Sequence, residues 1–121
     1  MSVIDPESYQ DFVMHMLSDV SKETFAAQIN TAALGLGGES GEVIDIVKKL
    51  LFHGMPFTDA IKAKLKDEAG DCLFYLAVLA AAIDEDFLTI MQGNVDKLTA
   101  RYPSGTFSVA DFLRKENAKS A

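Results

Sequence analysis

Apolar residues recur along the chain at three- and four-residue intervals, and strict alternation never persists. That pattern predicts helices and no strands. Asp5-Pro6 has the form of an N-cap followed by proline at the first helical position. Behind it Tyr9, Phe12, Val13, Met16 and Leu17 make one apolar stripe. A second helix is predicted from about Glu23 to Phe52, with a glycine-rich patch inside it, and His53-Gly54-Met55-Pro56 stops it. Thr58 is placed to cap a third helix, about Asp59 to Ile83. Asp84-Glu85-Asp86 opens a fourth, which ends near Tyr102 before Pro103. Ser108 caps a short final helix from Val109 to Lys115, with a polar tail behind it. Long helices joined by short loops predict an all-α chain, an antiparallel bundle of the four-helix type. It is expected to be one domain over 1–121, with its core between about 23 and 103.

The third helix is apolar on every side from Cys72 to Ile83, and the second nearly so from Val43 to Phe52. Such helices need neighbours all round, which predicts self-association to a dimer or a dimer of dimers. The chain has 121 residues, 49% of them hydrophobic, enough for a core. Its net charge of -7 disfavours nucleic acid and anionic membrane surfaces as partners. The single cysteine, Cys72, forms no intramolecular disulfide and fits packing better than nucleophilic chemistry. The first ten residues have no basic or apolar leader pattern, and the apolar run from Cys72 to Ile83 is too short to span a bilayer. The expected location is the cytoplasm.

Two acidic pairs carry the chemistry. Glu39 and Glu42, then Glu68 and Asp71, are each spaced i, i+3, within about 60° of one helical face. The pairs are equidistant from residue 55, inside the His53–Thr58 turn. In an antiparallel hairpin they therefore stand level, and four carboxylates converge on one seam. Such a group either takes up protons or holds a cation. All-oxygen ligation without histidine suits Mg²⁺, with Mn²⁺ as a substitute. A di-iron site would want Glu-x-x-His, whereas His15 and His53 lie elsewhere. Solvated surface acids are the competing reading. Gly35, Gly37, Gly38, Gly41 and Gly70 crowd these acids, giving either space for close approach and a ligand or a helix break at Gly37-Gly38.

The run from Leu34 to Glu42, followed by Glu68-Ala-Gly-Asp71, resembles the ExxE…ExxD signature of the MazG-like all-α nucleoside triphosphate pyrophosphohydrolases. Lys97-Leu98-x-x-Arg101-Tyr102-Pro103 is similar to that family's closing motif, and Tyr75 stands where related dCTPases carry a substrate-contacting tyrosine. The chain departs from dCTP-preferring relatives in lacking tryptophan and in having Leu98 where they carry asparagine. The resemblance implies a helical bundle assembled as a dimer or tetramer. It also implies Mg²⁺-dependent hydrolysis of an NTP or dNTP to the monophosphate and pyrophosphate.

On that reading Glu39, Glu42, Glu68 and Asp71 are metal-ligating and catalytic, with Glu39 or Glu42 as a candidate general base. Substrate-binding candidates are Lys49, which shares the face of Glu42, Tyr75, and the Asn94, Lys97, Arg101 face of the fourth helix. Lys97 and Arg101 equally suit a helix C-terminus, and Tyr75 a core position. Asp45, i+3 from Glu42, fits a solvated acid better than a further ligand, and Lys48 and Lys49 equally suit the surface. Two rival functions remain open: a helical interaction module whose acidic seam recruits a basic partner, and a divalent-ion sensor without hydrolase activity.

Overall fold

The computed structural model of the chain describes residue 2 and residues 5–120; positions 1, 3, 4 and 121 of the expected 1–121 domain lie outside these. The described residues are all helical or irregular, with no strand among them. They gather into two compact units, Met1–Phe87 and Leu88–Ala121.

The first unit holds α1 (Pro6–Met16), α2 (Asp19–Lys22), α3 (Phe25–Phe52) and α4 (Asp59–Ala82). All four of their N-termini are capped by side chains that satisfy orphan amides. Asp5 accepts from the Ser8 amide at 2.7 Å, Thr24 from Ala27 at 3.0 Å and Thr58 from Ile61 at 3.3 Å. The expected second helix thus starts later than Glu23. A one-turn helix capped by Ser18 precedes it, and Lys22 Nζ donates to the Met14 carbonyl at 3.0 Å, tying that turn to α1. α3 passes through Gly37-Gly38 without a break. It ends as expected: Gly54 adopts φ +67°, which glycine takes without strain, and the His53 and Met55 amides share the Lys49 carbonyl.

Gln28 reaches the Val78 carbonyl, Gly35 meets Tyr75, and Ser40 lies 3.9 Å from Cys72. Numbers rising along α3 fall along α4, so the two helices form the antiparallel hairpin that the turn predicts. The core lies at the end of this hairpin away from the turn. Val13 and Leu17 of the first segment pack with Ala32, Ala77 and Val78, flanked by Tyr9, Phe12, Met14, Phe74 and Phe87. Fully burying a side chain such as Val13 or Val78 contributes about 1.5–3 kcal/mol. Met16, expected in the stripe, is instead 60% exposed. Its neighbour Met14 packs against the core instead.

α4 ends in a Schellman closure. Asp84 takes φ 56°, its amide bonds the Ala81 carbonyl, and the Glu85 amide bonds Ala80 at 2.9 Å. Gln10 of α1 holds this turn from both sides: Nε2 donates to the Glu85 carbonyl at 2.9 Å, and Oε1 accepts from the Phe87 amide at 3.1 Å.

The second unit continues α5 (Phe87–Arg101) into α6 (Val109–Ser120). The Tyr102 and Phe107 rings, 5.3 Å apart, fold the connecting loop, and Gly105 takes φ +88° there. Ser108 caps α6 by accepting from the Asp111 amide at 3.0 Å. α6 runs past the expected end at Lys115. Nothing in Glu116-Asn117-Ala118-Lys119 breaks a helix, and the i, i+3 pairs Asp111–Arg114 and Glu116–Lys119 support it.

Candidate metal centre

Close helix approach positions the site. A Cβ placed on Gly35 would overlap Cε1, Cδ1 and Cζ of the Tyr75 ring, so α4 rests directly on the α3 backbone there. Tyr75 is also packed edge-on against Phe74, at 5.2 Å and 81°. Glu39 is one helical turn after Gly35, and Asp71 one turn before Tyr75. The crossing thus brings the acid-bearing turns of the two helices together.

Glu39, Glu68 and Asp71 present carboxylate oxygens that all lie within 4.8 Å of one another. Oxygens on opposite sides of a Mg²⁺ ion stand about 4.2 Å apart, so this spacing fits a small hard cation. Glu68 Oε2 is buried and has no hydrogen-bond partner. A buried acceptor without a partner is costly unless a hydrogen-bond donor or a cation approaches it. The Glu68 carboxyl is pushed above its ordinary range, first by the carboxyl–carboxyl hydrogen bond with Glu39, then by burial and the charges of Glu39, Asp71 and Asp67. A divalent ion set among the three would cancel the repulsion that raises the Glu68 carboxyl. The donor set, all oxygen and no histidine, fits Mg²⁺ or Mn²⁺.

Glu42, Lys49 and Tyr75 of the first unit are not among these three. Glu42 is exposed. Its charge instead acts on Lys49, whose ammonium is raised mainly by its bond to Asp45 and then by the charges of Asp45 and Glu42. Lys49 lies 2.8 Å and Lys48 3.3 Å from Asp45, holding that carboxyl below its ordinary range. Asp45 is therefore committed to lysines. Tyr75 packs on Gly35 as described. Asn94, Lys97 and Arg101 belong to the second unit. There Asn94 and Lys97 are exposed, and Arg101 lies 3.6 Å from Glu116. Of the five glycines near the acids only Gly35 meets a neighbour; Gly37, Gly38, Gly41 and Gly70 face open space.

Tyr9 was not foreseen. It stacks on Phe87 at 6.1 Å, nearly parallel, and its hydroxyl is raised by burial and then by the charge of Asp71. The α1 stripe marks Tyr9 only as apolar packing, so the influence of the Asp71 charge on its hydroxyl had no signal in the sequence.

The MazG nucleotide pyrophosphohydrolase domain is matched over residues 27–106, a span that takes in all four acids and the Lys97–Pro103 motif. The chain belongs to this family. It is 35% identical over 79 residues to the Gene 37 protein of Mycobacterium phage L5, covering 64% of this chain and 68% of the phage protein. No solved structure gives a significant match. The MazG family supplies the activity class, nucleotide pyrophosphohydrolysis, and the acidic trio is the group of described residues suited to the divalent metal that such chemistry uses. No helix among the described residues is long and apolar enough to cross a membrane.

Proposed function

We propose that this MazG chain is a Mg²⁺-dependent nucleoside triphosphate pyrophosphohydrolase, converting an NTP or dNTP and water to the monophosphate and pyrophosphate. The observation that carries this is the convergence of Glu39, Glu68 and Asp71 around a buried, unpartnered carboxylate oxygen within the matched family span. Glu39, Glu68 and Asp71 would hold the ion, with Glu42 completing the set from the next turn of α3. The bound cation would offset the charge of phosphates that this acidic chain otherwise repels, and would lower the pKa of a bound water. Glu39 or Glu42 would take the proton of the attacking water as it adds to the α-phosphorus. The pyrophosphate leaves as the bond to the bridging oxygen breaks. The family resemblance adds Lys49, Tyr75, Asn94, Lys97 and Arg101 as contacts to the nucleotide.

The same reading makes the chain a cytoplasmic homo-oligomer, a dimer or a dimer of dimers. An uncovered apolar face supports this: Ile44 is 67% and Leu73 50% exposed along a groove between α3 and α4, and Leu51 is 69% exposed further along α3. Burying such a face is worth about 25 cal/mol per Å².

The test is pyrophosphate release from a panel of NTPs and dNTPs with Mg²⁺ and with chelator. Release with Mg²⁺ alone is expected for at least one nucleotide. Divalent binding with every triphosphate left intact would instead favour the ion sensor.

A further inference from the structure

Arg101 ends α5 with its guanidinium enclosed by α6. Its Cζ lies 5.1 Å from the Phe112 ring centre and 5.5 Å from that of Tyr102. Nη2 stands 3.6 Å from Glu116 Oε1, and Arg114 donates to the Arg101 carbonyl at 3.2 Å. The group is thus charge-paired and stacked, yet one of its donors is unsatisfied. At 3.6 Å the Glu116 contact is an ion pair beyond hydrogen-bond range, and Nε is buried with no acceptor. A guanidinium has five donors in a fork that suits phosphate oxygens, and this one has a donor left to satisfy. Glu116, in turn, does not depend on Arg101: the same Oε1 lies 3.3 Å from Lys119 Nζ.

We infer that α6 is a displaceable latch on Arg101, with Glu116 as the resident counter-ion that the phosphates of a nucleoside triphosphate replace. This rests on the proposed role of Arg101 at the substrate phosphates. An arriving phosphate bonds the unsatisfied donor and repels the Glu116 carboxylate, which stays paired to Lys119. The ring stacking and the Arg114 bond to the Arg101 carbonyl then hold α6 without the ion pair, and its docking loosens. In the free protein Glu116 competes with substrate, so it raises KM without entering the chemical step.

The experiment uses the full chain, as wild type and Glu116→Gln. Exposed ion pairs of this kind change an equilibrium by about two- to five-fold, so the substitution lowers KM for the hydrolysed nucleotide by that factor and leaves kcat unchanged. An unchanged or raised KM overturns the latch. Amide hydrogen exchange over residues 109–119 is read in parallel with inorganic tripolyphosphate as the probe, which needs no turnover. Faster exchange in the wild type on adding tripolyphosphate supports release of α6; unchanged or slower exchange overturns it. Should the wild type hydrolyse no nucleotide, the proposed function fails on the pyrophosphate assay while the exchange measurement still decides the latch.

Discussion

Replacing Gly35 with alanine probes the contact that brings the acidic turns together. Two opposed effects set the magnitude. Removing a helix-interior glycine contributes about 1 kcal/mol of stability. Against it, the new methyl overlaps three carbons of the Tyr75 ring, and that ring has little freedom, packed edge-on against Phe74 and followed on its helix by the fully buried Ala77 and Val78. Overpacking of a fixed core costs about 1–3 kcal/mol, and an overlap with a ring rather than a flexible chain end belongs in the upper part of that range. The net expectation is a loss of about 1–2 kcal/mol. With an unfolding entropy of about 2.1 cal/mol/K per residue, a chain of 121 residues loses about 4 °C in Tm for each kcal/mol. Thermal unfolding followed by circular dichroism at fixed protein concentration, without divalent metal, should therefore show Gly35→Ala about 4–8 °C lower. The control is the same change in a Tyr75→Ala background. There the obstacle is gone and the glycine-to-alanine gain should emerge, a coupling of about 2–3 kcal/mol across the double-mutant cycle. Equal effects in both backgrounds, or a stabilised single variant, would refute the close-approach reasoning.

Gly37→Ala, facing open space in the same helix, should instead raise stability by about 1 kcal/mol in the same unfolding assay. Asp84→Gly relieves a left-handed backbone at the α4 terminus and should raise Tm by a few degrees. The folded-state pKa of Glu68 lies above its ordinary 4.5, so its contribution to stability is complete below that value and is lost as pH rises through the raised pKa. Without metal, the stability of the wild type relative to Glu68→Gln should thus fall with rising pH in denaturant titrations, and saturating Mg²⁺ should remove the trend. Asp71→Asn should keep the circular dichroism spectrum while losing nearly all pyrophosphate release; full activity would take Asp71 out of the site.

The hairpin and the level of its acids were legible because they rest on local rules. Thr58 caps, Gly54 turns, and equal distances from the turn fix which residues stand opposite in two uninterrupted helices. The i, i+3 spacing was less decisive than it looked. It spreads two side chains over about 60°, enough for Glu39 to reach the seam while Glu42 faces solvent beside Lys49. α2 is a single turn and too short for any periodicity. Its Ser18 cap is a residue type equally common in loops. The polar residues after Lys115 carry no apolar stripe, and their helix depends on charge pairs and on the docking of Phe112 against Arg101. Asp84 at positive φ, the stacking of Tyr9 on Phe87 and the packing of Arg101 against Phe112 arise from contacts between separate elements, which a spacing rule does not reach.

Calorimetric titration of the chelator-treated protein with Mg²⁺ and Mn²⁺, as wild type and as Glu39→Gln, Glu68→Gln and Asp71→Asn, measures directly whether three carboxylates on two helices form one cation site. Saturable binding by the wild type that weakens at least ten-fold in each of the three variants is the predicted result. A wild type that takes up neither ion, or variants that bind as tightly as it does, would contradict it.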